Sequence, residues 1–271
     1  MTPHTVMNED IAHRVFFELH ADLPREGPGD NHFTTTAFNL LPPLPPQPRL
    51  LDLGCGPGMQ TVQLARLTDG HITAVDLHQP FLDQLQQALD KTDFGDRVTP
   101  LQADMAELPF SPESIDLIWA EGSAYILEFG GALRTWRSLL KPTGYLVASE
   151  ITWIRPDPPQ PVLDFWAEEY PNMQSLEANI TLIKGLGYLP TAHFLLPEAA
   201  WWQHYYTPLE QRVQTLQAQY ADNPDALAVI ESHQQEMNLY RRYSDYYGYV
   251  FYIMQVDSLN PPSTLSLGTE G

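Results

Sequence analysis

Positive charge is scarce in this sequence. Lys and Arg number 14 among 271 residues against 34 Asp and Glu, which gives a formal charge of −20 and an isoelectric point near 4.6. The cations are scattered, so no basic patch offsets that balance, and a nucleic-acid backbone or an anionic membrane would be repelled. Cysteine is nearly absent. Cys55 stands alone, which excludes an internal disulfide and a thiolate metal cluster. The nine histidines show no His-x-x-x-His pattern, and His13 and His20, seven apart on one helix face, do not make a zinc site. No metal is therefore expected. There is no apolar run of 18 residues, and Met1 to Asp10 lack a basic region followed by an apolar one, so the expectation is a cytoplasmic location. The length suits one α/β domain with insertions.

What is present centres on Leu50-Leu51-Asp52-Leu53-Gly54-Cys55-Gly56-Pro57-Gly58. A short apolar run reads as a buried parallel strand, and three alternate glycines let the backbone turn and approach a ligand. A helical pattern follows at once. A P-loop would need Gly-Lys-Ser/Thr where Gly58-Met59-Gln60 stands. A dinucleotide fingerprint would need its third glycine one residue later. The stretch resembles instead motif I of the class I S-adenosylmethionine-dependent methyltransferases, Asp/Glu-x-Gly-x-Gly-x-Gly, matched here by Asp52 through Gly58.

In chain order, residues 8–22 carry Ile11, Val15, Phe16 and Leu19 at helical spacing behind Asn8 as N-cap. Gly27-Pro28-Gly29-Asp30 ends that helix, a second short helix covers about 32–41, and Pro42 to Pro48 form a stiff connector. Residues 1–48 thus make a helical cover outside the sheet. From 49 onward, strands and helices alternate, which argues βαβ units and a parallel sheet. Strands are expected at 49–53, 71–75, 98–103, 115–120 and 145–149, with helices at 59–68, 80–92 and 129–140. Lys141-Pro142-Thr143-Gly144 reads as a helix-ending turn. Substrate-side insertions follow at about 152–206 and 208–246, containing a strand near 191–196 and an aromatic cluster, Trp201 to Tyr206, that is expected to be core. Tyr249 to Gln255 is a last strand of the domain spanning 49–256, and 257–271 reads as a disordered tail.

The carboxylates recur at strand ends, where open α/β sheets bind ligands. Asp76 ends the second strand and can accept both ribose hydroxyls, with Leu77 beside it. Asp104 ends the third and can take the adenine amino group, with Met105 on the ring; a local capping role is the alternative. Asp52 can order the glycine loop or meet the methionine amino group. Glu121 and Glu150 end the fourth and fifth strands, close to where an acceptor would meet the sulfonium, and either can serve as base, as anchor or as a structural ligand. Tyr125 can orient an acceptor, and His204 can act as a base.

The resemblance extends through Leu108-Pro109-Phe110, Ile115-Asp116-Leu117-Ile118 and Leu139 to Tyr145, which look like the later motifs of the ubiquinone/menaquinone-biosynthesis type, with Thr143 in place of the usual first glycine of the turn. The remainder looks like a group of bacterial and archaeal small-molecule methyltransferases. The resemblance implies an α/β Rossmann-like sheet of seven strands, order 3-2-1-4-5-7-6 with strand 7 antiparallel and helices on both faces. It also implies S-adenosyl-L-methionine as cofactor, Gly54, Gly56, Gly58, Asp76 and Glu121 among the residues that hold it, and methyl transfer to O, N or C of a small molecule. A non-catalytic protein that binds the cofactor and acts through a protein partner is the competing reading. A nicotinamide oxidoreductase is disfavoured by the early third glycine.

Overall fold

Period-two alternation sorts the strand side chains onto two faces of one sheet. In the computed structural model, which describes residues 9–259, β1 (Arg49–Leu53) sends Leu50 to one face and Leu51 and Leu53 to the other. The expected cap Asn8 and most of the expected tail lie outside the described residues. With Leu50 pack Leu64 of α3 (Met59–Leu67), Leu85 of α4 (Gln79–Leu89) and Ala37 of α2 (Asn31–Asn39). With Leu51 and Leu53 pack Leu133 and Trp136 of α5 (Phe129–Arg137) and Ile183 of α7 (Leu176–Gly185).

The sheet runs β3 (Val98–Gln102), β2 (His71–Asp76), β1, β4 (Ile115–Glu121), β5 (Leu140–Trp153), β8 (Tyr247–Val256), β7 (Tyr188–Leu195). A two-residue β6 (Gln174–Ser175) pairs only with the end of β5. With β6 set aside, this is the expected seven-strand order, and the last strand is antiparallel to β5, from Tyr145 opposite Gln255 to Trp153 opposite Tyr247. Strand order reverses between β1 and β4, so a crevice opens at their carboxyl ends.

Two expectations are corrected. The helix before β5 stops at Arg137, and Lys141 to Gly144 lie within β5 rather than in a turn outside it. Leu140 already pairs with Ile115, and the register jumps to Tyr145 opposite Leu117, so the four turn residues form a bulge on the strand. The strand expected at 191–196 begins at Tyr188, because Pro190, which donates no ladder bond, sits at a register shift on the sheet edge.

A third apolar cluster lies over the carboxyl edge of the sheet, where Ile151 and Tyr247 meet the helical cover. Val15 and Leu19 of α1 (Glu9–His20), Val162 and Trp166 of α6 (Gln160–Glu169), Trp201 of the short α8 (Ala199–Trp201), Val213 of α9 (Thr207–Gln219) and Ile230 and Met237 of α10 (Pro224–Tyr243) build it. A π-helical segment, Trp202–Tyr206, links α8 to α9. The N-terminal helix and the late insertions therefore form one roof, although they are far apart in sequence. Among the described residues, no helix is long and apolar enough to cross a membrane.

Candidate active site

Between the sheet edge and this roof lies a cavity of about 700 Å³, within the range of small-molecule and cofactor sites. Its floor is the glycine loop. Gly54, Gly56 and Gly58 all have positive φ (+68°, +53° and +86°), a region that carries a penalty for any residue with a Cβ. The Gly54 and Cys55 amides both donate to the Val75 carbonyl at 2.9 Å. A Cβ on Gly54 would lie 2.4 Å from the Ser123 Cβ, and one on Gly56 3.1 Å from the Glu26 Cγ. Gly54 and Gly56 line the cavity. Gly58 does not: a Cβ there would lie 2.3 Å from Leu85 Cδ1, so it serves the close packing of α3 on α4.

Asp76 points into the same floor. Its Oδ2 accepts the Gly56 amide and its Oδ1 the His78 amide, each at 2.9 Å, which fixes the carboxylate while leaving lone pairs on both oxygens. Leu77 and His78 continue the wall, and Phe17 of α1 stacks on His78 with ring centroids 3.8 Å apart. A concave loop without Cβ atoms, a fixed carboxylate and flat apolar walls fit an adenosine-bearing ligand.

Glu121, at the end of β4, sits in the cavity wall. Its Oε1 accepts the Thr34 hydroxyl at 2.7 Å and the Trp119 indole N–H at 2.8 Å, and its Oε2 accepts Arg25 Nη2 at 2.5 Å. Arg25 and Glu121 are 4% and 8% exposed, so this is a buried ion pair between roof and sheet. Arg25 Nε and Nη1 have no protein partner among the described residues. Gly29, at φ +144°, lets the guanidinium lie there, since a Cβ would be 2.9 Å from Nη2.

Tyr125 also lines the cavity. It is two-fifths accessible, and burial still pushes its hydroxyl pKa up, because much of its free surface faces the enclosed space. The other candidates are not brought to the cavity wall. Asp52 is fully buried, accepts the Thr61 hydroxyl at 2.5 Å and so ties the loop to α3; burial raises its pKa to about 7. Asp104 accepts the Ala106 amide at 2.8 Å, the local turn role, and Met105 packs behind the loop. Glu150 lies under the wall, with its pKa raised to about 8 by burial, against the opposing effect of the Tyr170 hydroxyl. His204, half-buried in the π segment, is not in the lining, whereas its neighbours Trp201 and Tyr205 are. The cluster expected to be core is therefore core on one side and cavity wall on the other.

Sequence reasoning missed Arg25, Glu26, His20, His233 and Glu236, all in the lining. Glu26 Oε2 lies 2.6 Å from His20 Nδ1, His20 Nε2 lies 3.3 Å from His233 Nε2, and His233 Nδ1 lies 2.8 Å from the Val229 carbonyl. Burial, aided by the charge of Asp76, raises Glu26 to about 9, and burial lowers both histidines to about 4. One proton assignment satisfies the chain: Glu26 O–H donates to His20, His20 Nε2–H to His233, and His233 Nδ1–H to the carbonyl. The only local signal for Arg25 and Glu26 was their place directly before Gly27-Pro28-Gly29. For His233 and Glu236 there was none, since a polar residue on a long helix reads as solvent-facing.

Residues 50–144 match the methyltransferase domain family. An uncharacterised methyltransferase of Bacillus subtilis, YodH, is 27% identical over 230 residues, covering 83% of this chain and 91% of its own. The structure of YjhP from E. coli superposes with a TM-score of 0.78 at 20% identity, over 90% of this chain and 99% of the other. That of a methyltransferase from Geobacter sulfurreducens, solved with S-adenosyl-L-homocysteine, gives 0.73 at 22% identity over 90% and 98%. With the glycine loop, the strand-end aspartate and this sheet order in one chain, the protein is a class I S-adenosylmethionine-dependent methyltransferase, an enzyme that moves a methyl group to a small-molecule acceptor.

Proposed function

We propose that the cofactor lies along the floor of the cavity and the acceptor under its roof, and that the methyl group goes to an oxygen or nitrogen of an uncharged or cationic acceptor. The observation that carries this reading is the cavity itself, which runs without a break from Gly54, Gly56 and Asp76 to Phe165, Trp166, Trp201 and Tyr249. S-adenosylmethionine, when bound, supplies an electrophilic methyl group. Asp76 would hold the ribose hydroxyls through its remaining lone pairs, with Leu77 and His78 beside the adenine. Gly54 and Glu121 would face the methionine end.

The roof would exclude water and hold the acceptor in line, and such placement supplies much of the acceleration in displacement reactions. Among the described residues, Arg25 is the sole Lys or Arg in the lining, and it is engaged by Glu121. Glu26, Glu169 and Glu236 are also there, so an acceptor carrying carboxylate or phosphate would find no counter-charge. A cavity of this size argues against a non-catalytic cofactor carrier, which needs no second chamber.

Calorimetry with S-adenosylhomocysteine tests the first half, and binding in the micromolar range is expected. Incubation with methyl-labelled cofactor and fractionated metabolite pools tests the second. A methylated product without acid groups supports the proposal; a methylated carboxylate or phosphate ester would overturn the acceptor class.

A further inference from the structure

Among the described residues that line the acceptor chamber away from its exposed rim, where His13 and Glu169 lie, and away from the floor, where His78 lies, one polar atom is both basic and uncommitted. Tyr125, Tyr205 and Tyr249 present hydroxyls that make no hydrogen bond to another described residue, and burial raises the pKa of each, so they remain neutral hydrogen-bonding groups. Both ring nitrogens of His20 and of His233 are taken up in the chain from Glu26 to Val229. Glu26 uses Oε2 on His20, and its Oε1 is sealed from the cavity. Glu169 lies at the exposed rim, where it accepts the Ser232 hydroxyl at 3.3 Å.

Glu236, on α10, is different. The Tyr206 hydroxyl donates to its Oε1 at 2.6 Å, while its Oε2 has no hydrogen-bond partner among the described residues and is not among the atoms sealed from solvent. A base oriented by a third group, with its other oxygen turned to the reaction space, is the arrangement general-base catalysis requires.

We infer that Glu236, aimed by Tyr206, accepts the proton of a hydroxyl-bearing acceptor whose oxygen functions meet Tyr125, Tyr205 and Tyr249 and whose apolar body lies against Phe165, Trp166 and Trp201. The inference rests on the methyl-transfer reading above. As the acceptor oxygen forms its bond to the methyl carbon, its O–H bond breaks towards Glu236 Oε2, and the electron pair of the cleaved S–CH3 bond stays on sulfur. The proton then leaves Glu236 for solvent when the chamber opens. A hydroxyl suits this chamber better than an ammonium. It already carries a lone pair, whereas pairing with a buried carboxylate would hold an ammonium in its non-nucleophilic form.

Burial raises the pKa of Glu236 to about 7, the Tyr206 hydrogen bond works against that rise, and the charge of Glu169 adds to it. The other groups facing it are the neutral phenols of Tyr125, Tyr205, Tyr247 and Tyr249. The base is therefore poised close to neutrality, where proton transfer is most effective.

2-Naphthol is the probe, because its excited state releases a proton to a base in contact and the emission colour reports that release. It is titrated into full-length protein with and without S-adenosylhomocysteine, beside 2-naphthylmethylammonium and 2-naphthoate, and S-adenosylhomocysteine binding is followed separately by calorimetry. Bound 2-naphthol should emit as naphtholate above neutral pH. Glu236→Gln should abolish that emission, and Glu169→Gln should keep it. Tyr206→Phe should move its onset to higher pH, because the lost hydrogen bond had favoured the ionised carboxylate. Neutral emission from the bound probe, naphtholate emission surviving in Glu236→Gln, binding of the ammonium alone, or no binding of 2-naphthol would each overturn the inference. If S-adenosylhomocysteine binds and 2-naphthol fails, the inference falls alone. If S-adenosylhomocysteine itself fails to bind, the methyl-transfer reading falls, and the probe measured without it still judges the chamber. Should Glu236→Gln not fold, the pH onset in Tyr206→Phe decides.

Discussion

The floor and the roof of the cavity are built on opposite principles. The floor is backbone: glycines at positive φ, amides on the Val75 carbonyl, and an aspartate pinned by two amides. It comes from one continuous stretch, 50–76, and its geometry leaves little room for other residues. The roof is side chains, drawn from α1, α6, α8, the π segment and α10, and it is rich in aromatic rings. Backbone geometry suits a ligand that never changes, and a side-chain roof suits one that differs from enzyme to enzyme. The two regions meet in a buried ion pair and along α1.

That seam is where the largest effect is expected. Arg25→Met removes one partner of a buried pair and leaves Glu121 charged against Thr34 and Trp119. Breaking such a pair costs about 3–5 kcal/mol. Chemical denaturation should show a loss of that order, and Arg25→Met with Glu121→Gln should recover part of it. An unchanged midpoint in the single variant would show that roof and floor are not stitched there. Next in size is Asp76→Ala, which should weaken S-adenosylhomocysteine binding about 10- to 100-fold in calorimetry, as expected for losing hydrogen bonds to a charged group. Unchanged affinity would sink the ribose assignment and the view of the floor as the cofactor half.

The same contrast explains what could be read from the sequence. The order of strands, the loop and Asp76 were legible because a parallel strand, a positive-φ turn and a strand-end carboxylate each restrict residue type locally. Leu77 and Glu121, singled out by position, lie in the cavity lining. The roles of Asp52, Gly58 and Asp104 were less legible: the motif fixes their identity but not the direction in which they point, and the structure turns Asp52 to Thr61, Gly58 to Leu85 and Asp104 to its own turn. The roof was illegible because its members meet only through tertiary packing. His20 and His233 are 213 residues apart, and nothing near either announces the other.

Solution pH separates the two regions further. Glu26 is raised to about 9 from 4.5, so its folded state holds a proton that the unfolded chain gives up; the stability it contributes is full below pH 4.5 and is lost as pH rises through about 9. His20 and His233 are lowered to about 4 from 6.5, so their contribution is full above pH 6.5 and is lost as pH falls through about 4. The chain from Glu26 to Val229 is thus weakened from both sides. Glu26→Gln keeps a donor to His20 Nδ1 but cannot ionise. Relative to the parent it should gain stability steadily with rising pH between about 4.5 and 9, at up to about 1.4 kcal/mol per pH unit. Denaturation midpoints at several pH values measure this, and parallel curves would show that Glu26 does not carry the alkaline loss.

The smallest effect is expected at His204, and it is the sharpest test of where the roof ends. His204 shares the π segment with Tyr205 and follows Trp201 by three residues, yet only those two reach the cavity. The extra residue in a π turn rotates its neighbours out of α-helical register, so sequence proximity to the lining does not confer access to it. His204→Gln should leave S-adenosylhomocysteine affinity unchanged and alter stability by no more than about 0.5 kcal/mol, because this half-buried side chain makes no hydrogen bond, ion pair or ring contact with another described residue. Tyr205→Phe, one residue on, removes a hydroxyl that faces the acceptor and should weaken 2-naphthol binding by roughly the worth of one neutral hydrogen bond, about 1 kcal/mol or fivefold. If the two substitutions exchanged these outcomes, the π segment would present its other face to the acceptor, and the boundary drawn between roof and solvent would have to move by one residue.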